Sequence, residues 1–197
     1  MKEIVLAFPA PILPTRHIRS TLIQGGLASI KALGAYDAYV ATVAPAVREE
    51  IEGSVAGMWI PVETAVAHYL ACDKLGLSAD SAAQRGRVTF ERTKGLLLGT
   101  AIGLARSAGV TPLSFAPYLQ RFWLQGIDGG AVQAVKVGPK EMRLDVVACP
   151  LLRSHYFRAA LRGLTGGLFE LVSQKVYVQE VGGGGPETAI ALRVQWV

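Results

Sequence analysis

Between Trp123 and Ala131 the chain changes its hydrophobic period, and this switch constrains the fold more than any other feature. Upstream, apolar residues recur every third or fourth position, as on one helix face; downstream they alternate, as on one strand face. Gly126, Gly129 and Gly130 occupy the switch, where glycine lets the backbone leave helical geometry. Helices followed by alternating strands describe an α+β chain, with the helices packed against an antiparallel sheet.

Downstream, AVQAVKV, a GPKE turn at Gly138 to Glu141 and MRLDVVA predict a hairpin in which Leu144 and Val146 alternate with Arg143 and Asp145. Ser154 is placed to cap a helix with the apolar stripe Phe157, Leu161, Leu164, Leu168, Leu171 and Val172, opposite Arg158 and Arg162. KVYVQEV and TAIALRVQWV, joined by GGGGPE, predict a closing hairpin with Ile190, Leu192, Val194 and Trp196 on one face. The expected fold is a helical N-terminal half packed on a four-stranded antiparallel sheet built as ββαββ. Residues 1–16 are expected to be an extended arm. Residues 17–197 form a single ligand-binding-like domain with a helical subdomain over 17–128 and a ββαββ subdomain over 129–197.

Upstream, Leu22, Ile23, Leu27, Ile30 and Leu33 predict a helix that Gly34 ends, and a short helix follows from Tyr36 to Val43. Pro45 opens another, with Val47 and Ile51 on its apolar side, and Gly53 stops it. Pro61 opens a helix carrying Val62, Val66, Tyr69, Leu70 and Leu75. Ser78 to Ala108 carries a long helical pattern with a break expected near Gly86. Within it Gly95, Gly99 and Gly103 fall on one face, where a neighbouring backbone can approach closely. Thr111-Pro112 starts the last helix of this half, through Leu113, Phe115, Tyr118, Leu119, Phe122 and Trp123.

At 197 residues and 51% hydrophobic content the chain can bury one good core. Charged residues make up only 18%, and the mean hydropathy is +0.34, which predicts a dimer face or a ligand cavity beneath the surface. The net charge of +5 is dispersed rather than gathered into runs, so nucleic acid is not indicated as a partner. Cys72 and Cys149 form no CxxC pair, consistent with a reduced, cytoplasmic protein. Pro9, Pro11 and Pro14 interrupt the N-terminal apolar stretch before a signal peptide would be complete, and the apolar run Gly95 to Ala105 is too short to span a bilayer.

Candidates for chemistry are few. His68 and Cys72 are one helical turn apart, but a zinc site needs further ligands, so no metal is expected. A single axial histidine can hold haem, with His68 or His155 as the candidate, against the reading of each as a core or rim residue. There is no GxSxG elbow, and the glycines at Gly182 to Gly185 have no following Lys-Ser or Lys-Thr, so no catalytic residue is assigned. Arg153, His155, Arg158 and Arg162 can gather an anion at a helix start or simply form a solvated face. Trp59, Tyr69, Tyr118, Phe122 and Trp123 come from separate helical segments and either line a cavity between the helices and the sheet or fill the core.

The element order, GMWIPVETAVAHYLACDKLG at Gly57 to Gly76, RFW at Arg121 to Trp123, GPKEMRLDVVACP at Gly138 to Pro150 and ALRVQW at Ala191 to Trp196 resemble an uncharacterised, myxobacterial-type family of bacterial proteins. That family is similar to the haem-nitric-oxide-binding and vinyl-reductase sensor domains and to the Bet3-type subunits of the TRAPP tethering complex. The resemblance implies helices on a four-stranded sheet, a homodimer, and an apolar pocket for a ligand or acyl chain. Haem-binding relatives carry a Tyr-x-Ser-x-Arg motif that this chain lacks, and vinyl-reductase-type domains often carry cysteines before the last strand, where this chain has none. No cofactor is therefore expected. The leading expectation is a non-catalytic sensor domain for an apolar small molecule, with Trp59, Tyr118, Phe122 and Trp123 as pocket walls and His68 as polar anchor. A ligand-free dimeric scaffold for a protein partner is the alternative, and a haem-based gas sensor follows it.

Overall fold

A computed structural model of the chain describes residues 3–98, 110–182 and 186–197. Its helices begin at Ser20, where α1 (Ser20–Ala32) buries Leu22, Ile23, Leu27 and Ile30 and ends before Gly34, whose φ of +69° suits glycine. Proline starts α3 (Pro45–Gly53) after α2 (Tyr36–Thr42), and Pro61 precedes α4 (Val62–Asp73). The long helix α5 (Ala79–Leu98) is followed by α6 (Pro112–Phe115), whose Thr111 and Ser114 cap each other, and by α7 (Leu119–Gly126). Ser154 caps α8 (His155–Phe169) by accepting from the Phe157 N–H.

The expected break at Gly86 is absent, and α5 runs straight through it. The glycine serves packing instead: a Cβ there would lie 1.8 Å from the Ala160 carbonyl oxygen of α8, and one on Gly163 would lie 1.7 Å from the Ala83 oxygen of α5. The two backbones touch because neither glycine has a side chain, and α5 with α8 is the most extensive contact among the described elements. Among the described residues nothing lies within 4 Å of a Cβ on Gly95, while Gly99 and Gly103 lie outside the described residues.

The four strands expected from the alternation are β5 (Ala131–Gly138), β6 (Glu141–Val147), β7 (Val176–Glu180) and β8 (Ile190–Trp196). The sheet nevertheless has five strands, in the order β1-β5-β6-β8-β7 and antiparallel throughout. The fifth is β1 (Glu3–Leu6), which pairs Glu3 with Lys136 and covers an edge of β5 that would otherwise present free N–H and C=O groups. A second sheet, β3-β2-β4, joins β2 (His17–Arg19), β3 (Trp59–Pro61) and β4 (Ile127–Asp128) inside the segment expected to be purely helical. Strands this short carry no readable period. Pro61 is tolerated because β3 is an edge strand.

The glycines at the period switch turn out to be steric necessities. Gly129 and Gly130 have φ of +88° and +70°, and a Cβ on Gly129 would lie 2.2 Å from the Pro14 carbonyl oxygen. The N-terminal segment passes directly over them, and the Gly130 N–H donates to Leu13 O at 2.8 Å.

Candidate ligand-binding cavity

Val132 faces Val146 across the β5–β6 ladder, and Leu144 faces Leu192 across β6–β8, so these side chains share the inner face of the sheet. That face meets α8 and α7, and α5 lies beyond α8. The glycine seam draws α5 onto α8, and a cavity of about 130 Å³ remains where the two helices, α7 and the sheet converge. Its walls are almost wholly carbon, from residues such as Leu22, Phe90, Phe122, Leu164 and Leu168. An apolar cavity of roughly 150 Å³ stays dry and accepts benzene, so this space suits a small apolar molecule.

A few polar groups border it: Arg85 and Thr89, one turn apart on α5, Tyr156 and Thr165 on α8, and Tyr69 on α4. Tyr156 is 5% exposed, and its hydroxyl is buried with no hydrogen-bond partner; Arg85 Nε is in the same condition. Arg85 donates from Nη1 to Ser29 Oγ at 3.3 Å and has no carboxylate partner among the described residues. Burial pushes the Tyr156 phenol well above the usual tyrosine range, and the nearby Arg85 charge opposes that push, so the hydroxyl is a neutral donor at every physiological pH.

The residues singled out in the sequence divide between the cavity and other places. Phe122 and Trp123 stand in the wall, together with Tyr69, and the Trp123 Nε1–H donates to Gly129 O at 2.8 Å, which locks the indole in place. Trp59 lies outside it, partly exposed on β3 with the Arg19 guanidinium 3.8 Å from its ring centroid. Tyr118 is 56% exposed. His68 sits one layer behind, fully buried, with the Tyr39 hydroxyl 2.8 Å from Nδ1 and Cys72 Sγ 3.8 Å from Nε2. Its ring packs edge-on against Tyr69, a residue of the cavity wall. Burial drives the His68 pKa down to about 3, so the ring is neutral.

Arg85 and Tyr156 escaped the sequence reading, since an arginine on a polar helix face and a tyrosine in a first helical turn carry no distinguishing pattern. The signal nearest to them was Gly86, whose missing side chain brings Arg85 up to α8.

The arginine-rich start of α8 is already satisfied. The Asp73 carboxylate of α4 accepts from the Tyr156 and His155 N–H groups and from Ser154 Oγ, while Arg158 pairs with Glu180, Arg162 with Asp80 and Arg153 with Glu187. The Arg143–Asp145 and Arg193–Glu141 pairs likewise occupy the outer depression of the sheet. Among the described residues no group of three or more His, Cys, Asp or Glu is arranged to hold a metal ion, and no helix is long and apolar enough to cross a membrane.

No protein-family model and no curated protein matches the chain in sequence. Solved structures do match it in shape. An oxygen-binding H-NOX domain related to soluble guanylate cyclases aligns over 91% of this chain and 95% of its own, at 16% identity and a TM-score of 0.58. A variant of the T. tengcongensis H-NOX covers 91% and 97%, at 15% identity and a TM-score of 0.60. An H-NOX protein studied for haem distortion covers 91% and 95%, at 14% identity and 0.60. The fold is H-NOX-like.

Whether an H-NOX-like fold holds haem depends on its side chains. This chain has three histidines. His17 is paired with Asp128 at 2.9 Å, His155 is exposed at the start of α8, and His68 is engaged by Tyr39 behind Tyr69. None borders the cavity, and about 130 Å³ is far below the 300–1,000 Å³ of pockets that enclose even drug-sized molecules. These residues do not fit a histidine-held tetrapyrrole.

Proposed function

We propose that this chain is a non-catalytic sensor domain that takes a small apolar molecule into the cavity between α5, α7, α8 and the sheet. The observation carrying this reading is the carbon-walled space at the glycine seam, where two long elements meet backbone to backbone. A molecule filling that space gains dispersion and burial only in the arrangement that encloses it, and so biases how α5 lies on α8. The change is read at the surface by a second copy of the chain or by a protein partner. Val55, Met58 and Trp59, exposed together beside β2, favour such an interface. On this reading the domain acts in the cytoplasm as an H-NOX-like sensor that uses an apolar cavity in place of haem.

The test is thermal unfolding of the purified chain with toluene and a panel of similarly sized neutral molecules. Toluene is expected to raise the Tm of the wild type and to leave Leu164→Phe, in which the added ring fills the cavity, unmoved. If no member of the panel shifts the wild type and native mass spectrometry finds no bound small molecule, the reading fails.

A further inference from the structure

The cavity has carbon walls, yet two of the polar side chains that border it each hold a buried atom without a partner, and they come from different elements. A buried hydroxyl with no hydrogen bond is costly and uncommon. Tyr156 is more than nine-tenths buried, borders the cavity, and has no acceptor for its proton. Arg85 borders the same space from α5, with Nε buried and unpaired and only a long bond from Nη1 to Ser29. A guanidinium offers donors in a planar fork that matches a carboxylate. Both groups donate. The molecule that completes this site is therefore an acceptor at one end and apolar at the other.

We infer that the ligand is a small carboxylic acid of about the size of benzoate, its carboxylate held by Arg85 and the Tyr156 hydroxyl and its body against Phe90, Phe122 and Leu168. The inference rests on the sensor reading above and adds the ligand's charge and anchor. The size follows from the volume, which admits a single ring or a chain of comparable bulk. The charge follows from an arginine with no carboxylate of its own among the described residues. His68, turned toward Tyr39 and Cys72, takes no part.

Isothermal titration with benzoate, alongside thermal shift with its neutral counterpart toluene, separates the two readings. Benzoate is expected to bind the wild type, Arg85→Gln to weaken it at least about tenfold, Arg85→Lys to recover part of that loss, and Tyr156→Phe to weaken it several-fold. Toluene is expected to shift all four proteins alike. Without ligand, Tyr156→Phe should melt no lower than the wild type, since it removes an unsatisfied hydroxyl; it carries the test if Arg85→Gln does not fold. If toluene binds and benzoate does not, or if benzoate binds every variant equally, the anchor is overturned and the apolar cavity stands. If neither binds, both readings fall.

Discussion

His68 shows how little a residue's neighbours in sequence reveal about its work. The sequence places it one turn before Cys72 on an apolar helix, whereas the partner that occupies it is Tyr39, from a different helix. Enclosed among Tyr39, Tyr69 and Cys72, the imidazole is held neutral, its pKa about 3 in the fold against about 6.5 in the unfolded chain. Between those values the unfolded chain binds a proton that the folded chain does not, so stability falls as pH falls from 6.5 toward 3. The expected signature is a loss in the wild type relative to His68→Asn that steepens toward about 1.4 kcal/mol per pH unit below about pH 6. Urea unfolding of both proteins at pH 7, 6 and 5 measures it, and parallel pH dependence would show that His68 titrates normally in the fold.

At the level of elements, the α5–α8 seam decides how the helical half sits on the sheet. Glycine in a helix interior costs roughly 1 kcal/mol relative to alanine, so its presence calls for a packing reason. That reason exists at Gly86 and Gly163, where a Cβ meets backbone, and not at Gly95, where a Cβ meets none of the described residues. Gly163→Ala is therefore expected to destabilise by about 2–3 kcal/mol or more, because the rigid Ala83 carbonyl cannot move aside without separating the helices. Gly95→Ala is expected to stabilise by about 0.5–1 kcal/mol. Chemical denaturation of the two variants checks both signs. Helical period makes any regularly spaced glycine a candidate for close approach, and only the partner element shows which of them meets one.

As a whole molecule, the chain combines an H-NOX-like fold with three histidines, none of which borders the cavity. Haemin added to the purified protein is accordingly expected to give no stoichiometric Soret band; a band abolished by His68→Asn would overturn the haem-free reading. The α+β class, most helices and the four principal strands were legible because they depend on local terms: hydrophobic period, proline at helix starts, glycine at φ above zero. Phe122 and Trp123 lie on the apolar stripe of α7, which the helical period makes legible, and they border the cavity. The set of elements and the place where helices give way to strands are written in the sequence, since both follow from interactions within a few residues. Only in three dimensions does β1 join the sheet, do Gly129 and Gly130 make way for the N-terminal segment, and do Arg85 and Tyr156 border one cavity. Each of these joins residues remote in the chain, and no local period records which backbone will come within reach of another.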